Sequence, residues 1–159
     1  MATFQELYAK FGETAEAAQL MEHELGNMLL EIEAEQKNLF TEIDVNRAKE
    51  LIDNINSHTL GRLLKHLGQQ TDLIDPLQAQ LQFALAERNR LTHTFFRQHN
   101  LRRNSDGGRA KMLEDLEMLH ATLLNAVVAL MKLRGIDLEA ISEELGDALL
   151  ELPSTHLPI

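Results

Sequence analysis

The sequence predicts an all-α protein, an up-and-down bundle of about five helices in a single domain over residues 1–152, with residues 153–159 as a flexible C-terminal tail. Three observations lead there. Leu, Ala, Glu and Gln abound, and the 159 residues include only three prolines and eight glycines, a balance that favours helix almost throughout. Apolar residues recur at steps of three and four along most of the chain, and nowhere do they alternate with polar ones as in a strand. The length suits one domain with a substantial core.

The first element is one long amphipathic helix starting near Thr3. Phe4, Leu7, Tyr8, Phe11, Ala15, Ala18, Leu25, Met28, Leu29 and Ile32 lie on its apolar face, with Met21 and Met28 as core fillers. Gly12 and Gly26 interrupt a pattern that continues beyond them, so they are expected to permit close helix contact rather than to break the helix. Thr41 to Asp44 forms a capped turn. Val45, Ala48, Leu51, Ile52 and Ile55 then keep helical spacing up to Asn56-Ser57-His58, and a new start at Thr59 leads into Leu60, Leu63, Leu64 and Leu67. This stretch is two short helices or one kinked helix, with Gly61 near the bend. His58 and His66 have no further ligand at metal-binding spacing and are expected at the surface or at helix boundaries.

Asp75-Pro76 marks the next start, the aspartate as cap and the proline at the first helical position. Leu77, Leu81, Ala84, Leu85, Leu91, Phe95 and Phe96 give that helix its apolar face. Gln98 to Gly108 holds Arg102, Arg103, Asn104, Ser105, Asp106 and a Gly-Gly pair, which predicts a flexible basic loop without the lysine-serine/threonine ending of a phosphate loop. Helix resumes from Arg109 to Arg134 with an unusually wide apolar face from Met112 to Met131, wide enough for the core and for a partner subunit. Gly135 is its stop signal. Asp137 caps a last helix carrying Leu138, Ile141, Leu145, Leu149 and Leu150, which Pro153 ends.

Composition excludes several chemistries. The absence of cysteine rules out disulfides, thiolate metal sites and cysteine nucleophiles and fits a reducing cytoplasm. The N-terminus lacks the continuous apolar region of a signal peptide, and no run of about 20 apolar residues is expected to span a membrane. A cytoplasmic protein is the expectation.

Charge is unevenly placed. From Arg88 to Lys111 seven Lys/Arg face one acid, Asp106, a local +6 in a chain of −10, so that the remainder carries −16. Such segregation suggests a focused anion site on a repelling surface. Within this window Arg88-Asn89-Arg90-Leu91-Thr92-His93 combines a guanidinium, an amide and an imidazole on or at the end of a helix. Histidine moves protons near neutral pH, and arginine can hold two phosphate oxygens as charge develops on them. Together they can cleave RNA without a metal or cofactor. On a regular helix Arg88 and His93 lie about 140° apart, so one phosphate is served only if the helix bends, the arginine reaches round, or a second subunit completes the site.

At these residues the chain resembles the HEPN superfamily (higher eukaryotes and prokaryotes nucleotide-binding), marked by an arginine, four to six residues and a histidine, commonly with a polar residue after the arginine. The resemblance could cover most of residues 3–150. It implies a HEPN-like helical bundle, a homodimer whose two motifs line one cleft, and metal-independent endoribonuclease activity as a toxin or in phage defence, although some members are not catalytic. It assigns Arg88, Asn89 and His93 as catalytic residues, and Arg90, Arg97, Arg102, Arg103 and Arg109 would contact RNA phosphate. An antitoxin partner is a further expectation. In the subgroup silenced by a nucleotidyltransferase antitoxin, a tyrosine two residues after the histidine accepts adenylyl groups; here that position is Phe95, which argues against that subgroup. Two other readings stay open: a non-catalytic module that binds a nucleotide, RNA or an acidic partner, and a helical adaptor whose basic window only pairs with its own acidic residues.

Overall fold

The computed structural model describes residues 1–41, 44–70 and 75–136, and every regular element among them is helical: α1 (Phe4–Gln36), α2 (Val45–Asn56), α3 (Leu60–Gln70), α4 (Asp75–His93), α5 (Phe95–His99), a 3-10 helix (Asn100–Asn104) and α6 (Asp106–Leu133). The expected last helix from Asp137 and the tail lie outside the described residues. The elements run up and down. Arg88 of α4 meets Glu22 of α1, and Phe95 of α5 meets Phe11, so α4 is antiparallel to α1. Lys10 pairs with His120, and Arg134 with Glu24, so α6 returns parallel to α1.

Local signals explain the ends. Thr3 opens α1 with a capping box: its hydroxyl accepts from the Glu6 amide, and the Glu6 carboxylate accepts from the Thr3 amide at 2.7 Å. At the other end of α1 Asn38 takes φ 55°, with the Leu39 amide donating to the Ala34 carbonyl, a left-handed stop. Asp44 caps α2 by accepting from the amides of Asn46 and Arg47. Gly135, at φ +76°, ends α6, with the Ile136 amide donating to Met131 and the Gly135 amide to Lys132. These are the two bonds of a Schellman stop.

The core forms mainly along α1 and α6. Leu7, Met21, Leu25 and Leu29 are fully buried with Met112, Leu116, Leu119, Leu123 and Leu130, and Leu81, Ala84, Leu91 and Phe95 close the assembly from α4 and α5. Leu51, Ile55, Leu63 and Leu67 of α2 and α3 cover the other end of α1. By length and composition alone α6 is apolar enough to cross a membrane, contrary to the sequence expectation. Met112, Leu116, Leu119, Leu123 and Leu130 of the wide face are taken up by the core, while Leu124 of that face and Met118 outside it are exposed.

Two expectations about glycine fail. Gly12 faces open space, and a Cβ on Gly26 would only touch Ile55 at 3.9 Å, so neither serves close helix contact. Residues 98–108, expected to form a flexible loop, are instead the end of α5, the 3-10 helix and, after Ser105, the first residues of α6. Ser105 caps α6 by accepting from the Gly108 amide at 3.1 Å, a start signal that outweighs the Gly-Gly pair. A Cβ on Gly108 would lie 1.9 Å from the Arg102 carbonyl oxygen, so this glycine lets the 3-10 helix fold back against the first turn of α6.

Adding that Cβ should therefore be costly, because the clash is with backbone. We expect Gly108→Ala to lower stability by at least about 1–3 kcal/mol, whereas Gly107→Ala, whose Cβ meets nothing, should be neutral or stabilising by up to about 1 kcal/mol. Denaturant midpoints of the two variants check the contrast, and equal midpoints would show that the backbones are not in close contact.

Candidate functional site

The motif occupies the last turns of α4, and the helix divides its residues between two sides. Leu81, Ala84 and Leu91 point into the core, and Arg88 lies toward that side, 26% exposed, reaching α1. Its guanidinium pairs with the Glu22 carboxylate and donates to Asn89 Oδ1 at 3.1 Å. Phe11, Ala15, Gln19, Glu22, Arg88, Leu91 and Thr92 line a groove of about 370 Å³ between α1 and α4. His93, the last residue of α4, is exposed, as are Asn89 one turn before it and Thr92.

The helix carries no bend between Arg88 and His93; the interruption comes after them, at Thr94 (φ −132°, ψ −13°). The two residues therefore keep the separation of about 140° that a regular helix imposes. Among the described residues no hydrogen bond or ion pair joins them. Phe95, where the tyrosine would stand in the antitoxin-silenced subgroup, is buried against Phe11, Phe96 and His99.

Of the five arginines expected to contact phosphate, the structure commits two to structural partners. Arg90 donates twice to Asp115, at 2.7 and 2.8 Å, and twice to Glu87. Arg109 pairs with Asp106, donates to the carbonyl oxygens of Ala2 and Arg103, and stacks 4.8 Å above the Phe4 ring. Arg97, Arg102 and Arg103 are exposed, as is Lys111, and among the described residues none of the four pairs with a carboxylate. The +6 of the sequence window is thus partly neutralised, because Glu22, Glu87 and Asp115 lie outside the window and are brought to it by folding.

A second cluster, around His99 and Asp115, was not legible in the sequence. His99 is buried, with Nε2 2.7 Å from the Asp115 carboxylate and Nδ1 3.3 Å from the Arg102 guanidinium. Asp115 thereby ties α4, through Arg90, and α5, through His99, to α6. The hydrogen bonds from Arg90 hold its carboxyl below the usual carboxylate range, with burial opposing and His99 assisting. The same bonds raise the Arg90 pKa, against burial and with help from Glu87. His99, 5% exposed, is nearly closed to solvent. No group of three or more His, Asp or Glu side chains among the described residues could hold a metal, and His66 instead faces Glu33 at 3.5 Å.

A depressed folded pKa stabilises above the unfolded value, about 3.9 for aspartate, and that contribution is lost as pH falls through the folded pKa. Asp115→Asn should therefore cost about 2 kcal/mol at neutral pH and make the loss of stability below about pH 4 shallower. Urea titrations across that range check both. An unchanged acid limb would show that Asp115 does not drive the pH dependence.

Comparison of the chain with protein-family models, with curated proteins and with solved structures finds no match.

Proposed function

We propose that this chain is a HEPN-type, metal-independent endoribonuclease acting in the cytoplasm as a toxin or phage-defence effector, through a site shared by two copies of the chain. The observation that carries the reading is the placement of the motif: Asn89 and His93 open to solvent one turn apart at the end of α4, with Arg88 at the mouth of the adjoining groove. Exposed Arg97, Arg102 and Arg103 supply positive charge for the flanking phosphates. With Lys111 they pair with no carboxylate among the described residues, which supports an RNA-directed surface over a basic window that only serves its own acidic neighbours.

In the proposed reaction the RNA 2′-oxygen attacks phosphorus while an imidazole takes its proton. The P–O5′ bond breaks, the departing oxygen gains a proton, and a 2′,3′-cyclic phosphate and a 5′-hydroxyl result. The guanidinium stabilises the charge on the pentacovalent phosphorus. One imidazole can take the first proton and return one to the departing oxygen, and a dimer sets that imidazole beside a guanidinium. It also answers the geometry. Asn89 and Thr92 lie on the strip of surface between Arg88 and His93, so a two-fold axis passing there sets each His93 beside the other chain's Arg88.

A second reading, the non-catalytic module that binds RNA, a nucleotide or an acidic partner, is favoured by one observation: in a single chain Arg88 is already paired with Glu22 and has no link to His93.

Incubating the protein with total RNA and tRNA in excess EDTA separates the two. Cleavage to cyclic phosphate should survive EDTA and fall by at least about 10²-fold in His93→Ala, with a similar loss in Arg88→Ala. Arg103→Ala should mainly weaken binding and lower its salt slope by about one. Mixed His93→Ala and Arg88→Ala chains should regain activity. Equal cleavage by wild type and His93→Ala removes His93 from the mechanism, and salt-sensitive binding without turnover selects the second reading.

A further inference from the structure

The groove between α1 and α4 holds an arginine whose charge is already answered from within. Arg88 has a carboxylate, Glu22, on one side and the Asn89 amide oxygen on the other. The remaining groove surface, from Phe11, Ala15, Gln19, Leu91 and Thr92, carries no charge. Glu22 itself is 35% exposed and belongs to α1, so it reaches Arg88 across the groove. A guanidinium presents the same planar pair of donors to a carboxylate as to a phosphate.

We infer that the groove is an anion subsite that the protein fills with its own side chain: the Glu22 carboxylate occupies the place of a substrate phosphate on Arg88, and displacing it sets the affinity for single-stranded RNA. The inference rests on the reading that RNA phosphate is the ligand of this site. Several features agree with such a role. The pair is about a third exposed, and ion pairs of that kind contribute little to stability, so a phosphodiester, which offers the same single charge on two oxygens, can replace the carboxylate without unfolding the groove once the rest of the strand adds contacts. The internal partner also explains how a chain of net charge −10 can keep an arginine in a groove without collecting every anion it meets. Only a ligand that also engages the neighbouring cations, Arg97, Arg102 and Arg103, would outcompete Glu22. Glu22 is accordingly an affinity-setting residue, and no proton transfer is assigned to it.

The test is binding of a short fluorescent 2′-O-methyl RNA, which cannot be cleaved, to the full chain. Glu22→Gln keeps the shape of the side chain and removes its charge. Glu16→Gln makes the same change in net charge from an exposed position beside His120 and Leu124, away from the groove. Glu22→Gln should bind the RNA about fivefold more tightly than Glu16→Gln, the scale of a partly exposed ion pair. In an Arg88→Ala background the two variants should bind alike. Equal affinities of the two single variants, or a gain from Glu22→Gln that persists without Arg88, would overturn the inference, since either would reduce Glu22 to one negative charge among many. The readout is affinity, so absence of cleavage would remove the proposed chemistry and leave this subsite standing, whereas failure of the Glu22 test would leave cleavage untouched.

Discussion

Everything else in the molecule depends on the apolar seam between α1 and α6. These are the longest helices, with 33 and 28 residues, and they run side by side with Leu and Met interlocked along the contact. Each such side chain, fully buried, contributes about 1.5–3 kcal/mol, so the seam outweighs any polar contact in the structure. It also fixes where α4 can lie. Leu81, Ala84 and Leu91 fill the furrow beside the pair, which turns Arg88 toward α1 and leaves Asn89 and His93 in solvent. The position of the candidate site is therefore a by-product of core packing.

Polar contacts then set orientation at particular points. Asp115 receives Arg90 from α4 and His99 from α5, joining three elements at one carboxylate just where the chain leaves the motif helix. Such junctions add little net stability compared with the seam, since the charges must first be desolvated. Their geometry is nevertheless specific. Together with the close approach of Gly108 to Arg102, the junction makes residues 98–108 a folded connection and holds Arg102 and Arg103 at the surface.

Charge is distributed differently in the folded chain from what the linear sequence suggests. In linear sequence the window from Arg88 to Lys111 is a nearly unopposed run of cations. In the folded chain Arg88, Arg90 and Arg109 each meet a carboxylate, and the exposed positive charge contracts to Arg97, Arg102, Arg103 and Lys111. Under the proposed function, such a narrow and already balanced surface would favour selective capture of a polyanion over indiscriminate attraction.

The sequence by itself determined the helices and most of their ends, because helical periodicity and caps are local: Thr3 with Glu6, Asp44 and Gly135 act on neighbours within one or two turns. It also placed the motif at the end of a helix and set the angle between Arg88 and His93, both consequences of residue spacing alone. The first turn of α6 was misread because Gly-Gly signals a loop locally, whereas here Gly108 answers to a backbone that only folding brings near. Only the tertiary structure decided that Arg88 meets Glu22 and that Arg90 meets Asp115. Glu22 and Asp115 lie on other helices, and nothing in their own neighbourhoods distinguishes them from the other carboxylates of an acidic chain. Their roles follow from how the apolar faces pack, since it is burial of those faces that carries α1 and α6 to either side of α4.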